Sequence, residues 1–204
     1  MPEPSTSSSH SPRQRILEAA ARLFRDKGYA ATSMRDLARL VDLKASSLYN
    51  HIQGKEDLLR LICFANARRF LQAMETVEQQ NGLDPAERVL ALVRLHVEMA
   101  LKEATSITAF NDEWRHLSEP HLSRFVAMRR DYEERFLRIL RDGMAQGVIR
   151  DMDPRVLLYT LLSSVRWLYD GYRAKRFPEA EEVARQVVSL LLHGLAPLPE
   201  GQKA

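Results

Sequence analysis

Residues 44–51 contain a short run of small and polar side chains. Its members are Lys44, Ala45, Ser46, Ser47, Asn50 and His51. Amide and imidazole groups on a helix can pair with base edges, an ammonium can reach a phosphate, and small residues let the helix lie close. This chemistry is contact with double-stranded DNA. The same run also fits the solvated face of a helix in any three-helix bundle, and composition leaves both interpretations open.

Two short helices joined by a tight turn must position this run. The apolar spacing predicts an inward face for each helix, formed by Leu37, Ala38 and Val41 in the first and by Leu48, Tyr49 and Ile52 in the second. In the turn of residues 42–44, Leu43 is predicted to anchor the chain to the core. This arrangement is a helix-turn-helix, whose second helix enters the major groove.

Local signals agree with this unit. Ser33 stands three residues before Asp36, which is a weaker form of the capping box that starts a helix. Asp42 occupies the turn position that usually requires a positive φ, and Asp is one of the few residues other than Gly that tolerates it.

The order Thr32, Leu37-Ala38, Leu43, Leu48-Tyr49-x-His51 and Lys55-x-x-Leu58 resembles the DNA-binding domain of TetR-type transcriptional regulators over residues 13–60. Three positions depart from the family pattern. Asp42 replaces a Gly and Ile52 replaces a Phe, and both keep the physical role. Lys44 replaces a Ser, which removes a cap and adds a charge at the start of the second helix.

The resemblance implies an N-terminal helix-turn-helix, an all-helical ligand-binding domain, and a homodimer built on the last two helices. It also implies a set of residues in contact with an operator: Thr32, Ser33, Arg35, Lys44, Ala45, Ser46, Ser47, Tyr49, Asn50, His51 and Lys55. Lys55 would contact phosphate, although a solvated terminal charge explains it as well.

Composition agrees with a bacterial-type cytoplasmic protein. The chain has 204 residues, of which 45% are hydrophobic, and a single cysteine, Cys63. No apolar run approaches the roughly 20 residues that span a bilayer, and the N-terminus lacks the apolar core of a signal peptide. Cys63 lies in an apolar stretch, which favours a buried, inert thiol over a redox sensor.

The net charge of +3 is concentrated at one end of the chain. Residues 1–60 hold ten Lys and Arg against seven Asp and Glu, whereas residues 61–204 hold 20 of each kind. The excess therefore coincides with the predicted helix-turn-helix, which favours a nucleic-acid contact there.

Helix start and stop signals predict an all-α chain of about nine helices. The expected organisation is a disordered tail (1–10), a three-helix helix-turn-helix domain (11–54), a helical effector-binding and dimerisation domain (55–196) and a second tail (197–204). Helices are predicted to start at Pro12, Lys55 and Pro85, and a shorter one to run from Thr105 to Leu117.

The last two predicted helices are apolar around more of their circumference than one buried stripe needs. Such a pair can pack inward and also against its symmetry mate, forming a four-helix dimer interface. Two fully buried helices in a monomer would show the same pattern. Paired DNA half-sites require a dimer, so the helix-turn-helix favours the first interpretation.

Aromatic and polar residues alternate where a pocket for a small molecule would lie. The candidates are Phe110, Trp114, Arg115, Tyr132, Phe136, Arg166, Trp167 and Arg173. Each aromatic residue alone fits ordinary core packing. The segment from Asn111 to Leu117, with Trp167, looks like the acyl-CoA-sensing subgroup of the family, in which an apolar slot holds the acyl chain and arginines bind phosphates.

Three alternatives remain beside an acyl-CoA-responsive repressor. One is a TetR-type repressor of an efflux pump that senses a hydrophobic, drug-like ligand. Another is a helical oligomerisation protein without a DNA role, against which the polar face of residues 44–51 argues. Catalysis is disfavoured because the sequence lacks an HExxH pattern, a Gly-rich phosphate loop and a nucleophile elbow. His116 and His121, five residues apart, point to different faces of a continuous helix, so no metal or other cofactor is expected.

Overall fold

The first helix starts where Ser11 and Pro12 predict it. The computed structural model describes residues 11–171 and 180–193. The Ser11 side chain accepts a hydrogen bond from the backbone N–H of Gln14 at 3.2 Å, and Pro12 occupies the first helical position. Helix α1 (Pro12–Lys27) ends at Gly28, whose φ of 81° lies in the region that favours glycine.

The described residues form nine α-helices and one 3-10 turn, with no strand among them, which confirms the all-α prediction. After α1 the helices are α2 (Met34–Leu40), α3 (Ala45–Leu48), α4 (Lys55–Gln79), α5 (Pro85–Lys102), α6 (Ala104–Asp112), α7 (His121–Ala145), α8 (Pro154–Gly171) and α9 (Ala180–His193); the 3-10 turn (Trp114–His116) follows α6.

The unit of α2, turn and α3 has the predicted caps. The Ser33 hydroxyl accepts from the N–H of Asp36, and the Asp36 carboxylate accepts from the N–H of Ser33, both at 3.1 Å. Together they form a capping box. Asp42 has a φ of 54°, which confirms the predicted left-handed turn residue.

Two burial predictions in this unit are wrong. Tyr49 is 56% exposed and Leu43 is 38% exposed, although both were predicted to face the core. Leu48 and Ile52, four residues apart, take the inward positions and are almost fully buried. Successive residues of a helix are about 100° apart, so Tyr49 is rotated away from the face of Leu48 and points outward.

Helix α4 links the N-terminal helices to the rest of the chain. Its first residue, Lys55, donates through Nζ to the carbonyl oxygens of Tyr29 (2.8 Å) and Thr32 (2.9 Å) and lies over the Tyr29 ring at 4.3 Å. Further along, α4 packs against α5, α6 and α7, while α1 packs on α6. The core is thus continuous from Ile16 to the C-terminal helices.

The short middle helix is broken, contrary to the prediction of one helix from Thr105 to Leu117. Helix α6 stops at Asp112, and the backbone tightens to i+3 hydrogen bonds, with the N–H of Leu117 donating to the carbonyl of Trp114 at 3.1 Å. Leu117 is then only 3% exposed. Burial of this leucine favours the break over an extra helical turn.

Several predictions lie outside the described residues. They concern the two tails (1–10 and 197–204) and Arg173 as a ligand-binding residue. Within the described segments, no helix is both long and apolar enough to cross a membrane.

Candidate functional site

The polar run around α3 forms an exposed surface. Lys44, Ala45, Ser46, Asn50 and His51 are all exposed, and Ser47 is half-buried. Tyr49 joins them because it points outward. Arg35, on α2, is exposed as well. Hydroxyl, amide, imidazole, phenol and ammonium groups therefore share one surface, which is the set of donors and acceptors that contacts to bases and phosphates need.

Three of the predicted DNA-contact residues have partners inside the protein. Thr32 is 5% exposed, and its hydroxyl donates to the carbonyl of Gly28 at 2.8 Å. Ser33 caps α2. Lys55 gives N–H groups to the carbonyls of Tyr29, Ala30 and Thr32. These three side chains hold the loop before α2 in place, and the outward-facing polar groups are those of α3 and the turn after it.

A cavity of about 300 Å³ lies between α4, α5, α6, α7 and α8. Its lining combines aromatic rings with a few polar and charged groups, as small-molecule sites do. The lining residues are Ala67, Phe70, His96, Phe110, Asn111, Met128, Arg129, Tyr132, Glu133, Tyr159, Leu162, Ser163 and Arg166.

The structure places Phe110, Tyr132 and Arg166, from the predicted ligand set, on the cavity wall. Arg166 also forms an ion pair with Asp112 at the end of α6. The bond connects α8 to the helix that carries Phe110.

The other predicted ligand residues lie elsewhere. Phe136 is fully buried one helical turn beyond Tyr132, edge-on to its ring. Trp114 packs on Phe125 because the 3-10 turn carries it away from the cavity wall. Arg115 lies over the Trp114 ring at 4.6 Å. Trp167 is 42% exposed, since Val165 and Leu168 take the inward positions of α8.

His96 is a buried polar group in the cavity wall that the sequence-based prediction missed. Its Nε2 lies 2.9 Å from the hydroxyl of Tyr132, and Phe70 stacks on its ring at a centroid distance of 4.7 Å. Burial lowers the pKa of His96 to about 4. The imidazole is therefore neutral at pH 7, and this part of the cavity offers neutral hydrogen-bonding groups among aromatic rings.

Arg129 is a second missed residue, and it brings charge to the wall. It comes from α7 and is half-buried, with its guanidinium 5.3 Å from the centre of the Trp114 ring. Burial lowers its pKa below the ordinary value; Glu133 and Tyr159 oppose the shift, while Arg115 and Arg166 add to it. The guanidinium groups of Arg115 and Arg166 thus lie within electrostatic reach of Arg129.

A signal for both residues was present in the sequence. His96 falls in register with Leu92, Val93 and Ala100 on the buried face of α5. Arg129 falls in register with Phe125 and Tyr132 on the buried face of α7 in the same way. A polar residue on an otherwise apolar helical stripe is therefore the pattern to search for.

Cys63 has the environment that the sequence predicted. It is fully buried, and burial raises the pKa of its thiol to about 12. A thiol that stays protonated is a poor nucleophile and a poor redox sensor. Among the described residues, no three His, Cys, Asp or Glu side chains are grouped so that they could hold a metal ion.

Known families account for both parts of the chain. Residues 16–62 match the family model described as bacterial regulatory proteins, tetR family. Residues 82–195, more than half of the chain, match the tetracyclin repressor-like C-terminal domain. The chain belongs to the TetR family. This membership makes it a DNA-binding transcriptional regulator and not an enzyme, as the sequence resemblance implied.

Individual TetR relatives match along nearly the whole length. The transcriptional repressor KstR2 of Rhodococcus jostii is 29% identical over 204 aligned residues, covering 96% of each chain. The crystal structure of PfmR from Thermus thermophilus is 32% identical, with a TM-score of 0.75 over 93% of this chain and all of that one. AibR, solved in complex with isovaleryl coenzyme A and operator DNA, is 27% identical, with a TM-score of 0.76 over 87% and 96% of the two chains.

Proposed function

We propose that this TetR-family protein is a homodimeric repressor that binds a palindromic operator and releases it when a small molecule enters the cavity. Residues 11–54 serve as the DNA-binding domain, and residues 55–196 bind the effector and form the dimer. The observation that carries the proposal is that one chain has both an exposed polar surface around α3 and a partly open cavity with charged groups in its wall.

The DNA-binding role rests on the exposed face of α3. Lys44 contacts phosphate at the start of α3, while Ser46, Asn50 and His51 face base edges and Tyr49 packs against the backbone. The buried Leu48 and Ile52 fix the orientation of that face. Arg35 adds a second phosphate contact from α2.

The dimer rests on apolar surface that the single chain leaves exposed. Val156 and Trp167 on α8 are 55% and 42% exposed, and Leu190 on α9 is 49% exposed. The opposite faces of the same helices are buried, through residues such as Leu158 and Val188. Two helices with apolar groups on both faces suit packing against a second copy of the chain.

We propose an acyl-CoA thioester as the effector class. The cavity volume suits a small acyl group among Phe70, Phe110 and Tyr132, and the neutral His96 suits a carbonyl oxygen. The bulky nucleotide would stay outside, near Arg115 and Arg166. The AibR complex with isovaleryl coenzyme A supports this class because that protein shares the fold across most of its length.

Helix α6 and the 3-10 turn connect the cavity to the DNA-binding domain. The C-terminal half of α6 lines the cavity through Phe110. Near its start, Thr105 accepts a hydrogen bond from Arg25 of α1 at 2.5 Å, and beyond it His116 stacks on Tyr29 at 4.9 Å. A ligand that displaces α6 would therefore move α1, and release follows if the ligand binds the displaced state more tightly.

The test is DNA binding at fixed salt, measured by fluorescence anisotropy with a fragment upstream of the protein's own gene and with operators selected from random sequence. We expect tight, salt-dependent binding that Tyr49→Ala weakens by about 10-fold or more, the scale of one lost good contact. Val148→Ala, another exposed residue at 46%, should bind like the wild type. Absence of any selected operator would overturn the proposal.

The effector class is tested by titrating the DNA complex with a panel of acyl-CoA thioesters and, separately, with uncharged hydrophobic compounds. Release by one thioester supports the proposed class. Release only by the uncharged compounds would replace it with the drug-sensing alternative, in which the repressor controls an efflux pump.

A further inference from the structure

Arg129 is a half-buried cation without a polar partner. Within the described residues it forms no hydrogen bond and no ion pair, and its guanidinium lies over the face of Trp114. Its guanidinium belongs to the wall of the cavity. The other wall arginine, Arg166, is paired with Asp112. A guanidinium carries five N–H donors, so Arg129 has donors available for a ligand at the cavity wall.

We propose that Arg129 is the residue that binds an anionic group of the effector, a carboxylate or phosphate oxygen, at the edge of the cavity. This inference rests on the proposed function, in which the cavity is the effector site. A planar guanidinium can pair with two oxygens of such a group at once, which fixes the orientation of the ligand as well as its affinity.

The surroundings of Arg129 favour an incoming anion. Arg115 and Arg166 are close enough to repel its charge, whereas Glu133 and the Tyr159 hydroxyl favour its charged form. The Glu133 carboxylate accepts from Tyr159 at 3.4 Å, so it has a partner of its own. Three arginines against two carboxylates, Glu133 and Asp112, still leave a net positive edge, and an anion bound there would relieve the repulsion on Arg129.

The position of Arg129 also defines the shape of the ligand. On α7, Arg129 lies one helical turn before Tyr132, whose hydroxyl meets His96. An anion on Arg129 would therefore direct the attached apolar part toward Phe70 and the His96–Tyr132 pair. The expected ligand is an amphipathic anion. Its small apolar part can carry an oxygen that hydrogen-bonds to the His96–Tyr132 pair.

Two sources could supply the anion, and matched ligands separate them. A CoA thioester carries phosphates on its nucleotide end, whereas the free acid carries a carboxylate on the acyl end. The pantetheine thioester of the same acyl group carries neither. Comparing the three by calorimetry with wild-type dimer measures what each anion contributes to the dissociation constant.

The variants are Arg129→Met, which keeps the length of the side chain but not its charge, and Arg129→Lys, which keeps the charge. Arg130→Met is the matched control, because Arg130 is the next residue of α7, is exposed, and lies outside the cavity. We expect Arg129→Met to weaken the anionic ligand by about 10- to 100-fold, the range for a lost charged hydrogen bond. Arg129→Lys should recover part of the loss, and the uncharged pantetheine thioester should bind all variants alike.

Thermal unfolding without ligand separates binding from a structural role. Arg129→Met removes an unpaired, partly desolvated charge, so its melting temperature should be no lower than that of the wild type. If Arg129 were mainly structural, the melting temperature would fall and the pantetheine thioester would weaken as well. Either of these results would overturn the inference.

Equal affinities of wild type, Arg129→Met and Arg130→Met for the CoA thioester and for the free acid would also overturn it, while leaving the effector site itself in place. If none of the three ligand types binds the wild type, the proposed effector class fails and the inference fails with it. The two failures are therefore distinguishable.

Discussion

The proposed DNA-facing surface and the cavity are built in opposite ways. The surface comes from one contiguous stretch, residues 35–51, held by short-range bonds such as the capping box of Ser33 and Asp36. The cavity wall comes from five helices and spans residues 67–166. Local hydrogen bonds fix the surface. The shape of the cavity depends instead on the angles at which the long helices pack against one another. We therefore expect that substitutions can change DNA binding and effector binding separately.

Leu48 anchors α3, and with it the exposed polar surface, to the core. It has no exposed area, so Leu48→Ala should lower the free energy of unfolding by about 2–5 kcal/mol, the usual cost of an emptied leucine site. Chemical denaturation measures this loss. Leu43→Ala, in the same unit but 38% exposed, is the matched control and should change stability by less than about 1 kcal/mol. Equal losses would contradict the burial pattern.

Acid sensitivity between about pH 6.5 and 4 should come mainly from His96 in the cavity wall. The pKa of His96 is about 4 in the folded protein and about 6.5 in the unfolded chain. The unfolded state therefore binds more protons between these values, so stability falls as pH drops from about 6.5 to 4. The full loss is on the order of 3 kcal/mol.

The measurement is denaturation at several pH values in that window. His96→Phe should flatten the pH dependence, because the buried titrating group is gone. His51→Phe changes an exposed histidine on the other region and should keep the slope of the wild type. A slope that survives His96→Phe would show that other groups cause the acid sensitivity.

Substitution of two serines, Ser33 and Ser46, should separate effects on folding stability from effects on DNA binding. Ser33→Ala removes the cap of α2 and should lower the free energy of unfolding by about 1 kcal/mol. Ser46 is exposed on α3, so Ser46→Ala should leave stability within about 0.5 kcal/mol and act on operator affinity instead. Parallel denaturation and anisotropy measurements decide this. A stability loss confined to Ser46→Ala would reverse the two assigned roles.

The smallest expected effect concerns the turn between α2 and α3. Asp42 has a φ of 54°, a region that is less unfavourable for Gly than for residues with a side chain. Asp42→Gly should therefore raise the free energy of unfolding by no more than about 1 kcal/mol. Asp42→Val should lower it, since a β-branched residue is strained there. A stabilising Val would show that the turn relaxes to another conformation.

The same contrast explains what the sequence could predict. The caps at Ser11 and Ser33 and the left-handed Asp42 depend on neighbours within a few residues, so pattern and turn chemistry predict them. Tyrosine fits an inward or an outward position, so its residue type does not predict the outward Tyr49. The face shared by Leu48 and Ile52 decides that orientation, because Tyr49 is about 100° away from Leu48 on the helix.

The cavity was only partly predictable. Phe110, Tyr132 and Arg166 line it, but Trp114 and Phe136 do not, because the break after α6 and the rotation of α7 are set by packing between distant helices. Arg129 and His96 carry a pattern, a polar group on an apolar stripe, yet the sequence does not show whether such a group meets a partner or an open space.

The central claim is that occupancy of the cavity and DNA binding are thermodynamically coupled. The most direct test is to measure the dissociation constant of the releasing thioester with and without saturating operator DNA, at one salt concentration. Coupling is reciprocal, so we expect operator DNA to weaken the thioester by the same factor by which the thioester weakens operator binding. A thioester that binds equally well with and without DNA would contradict the claim.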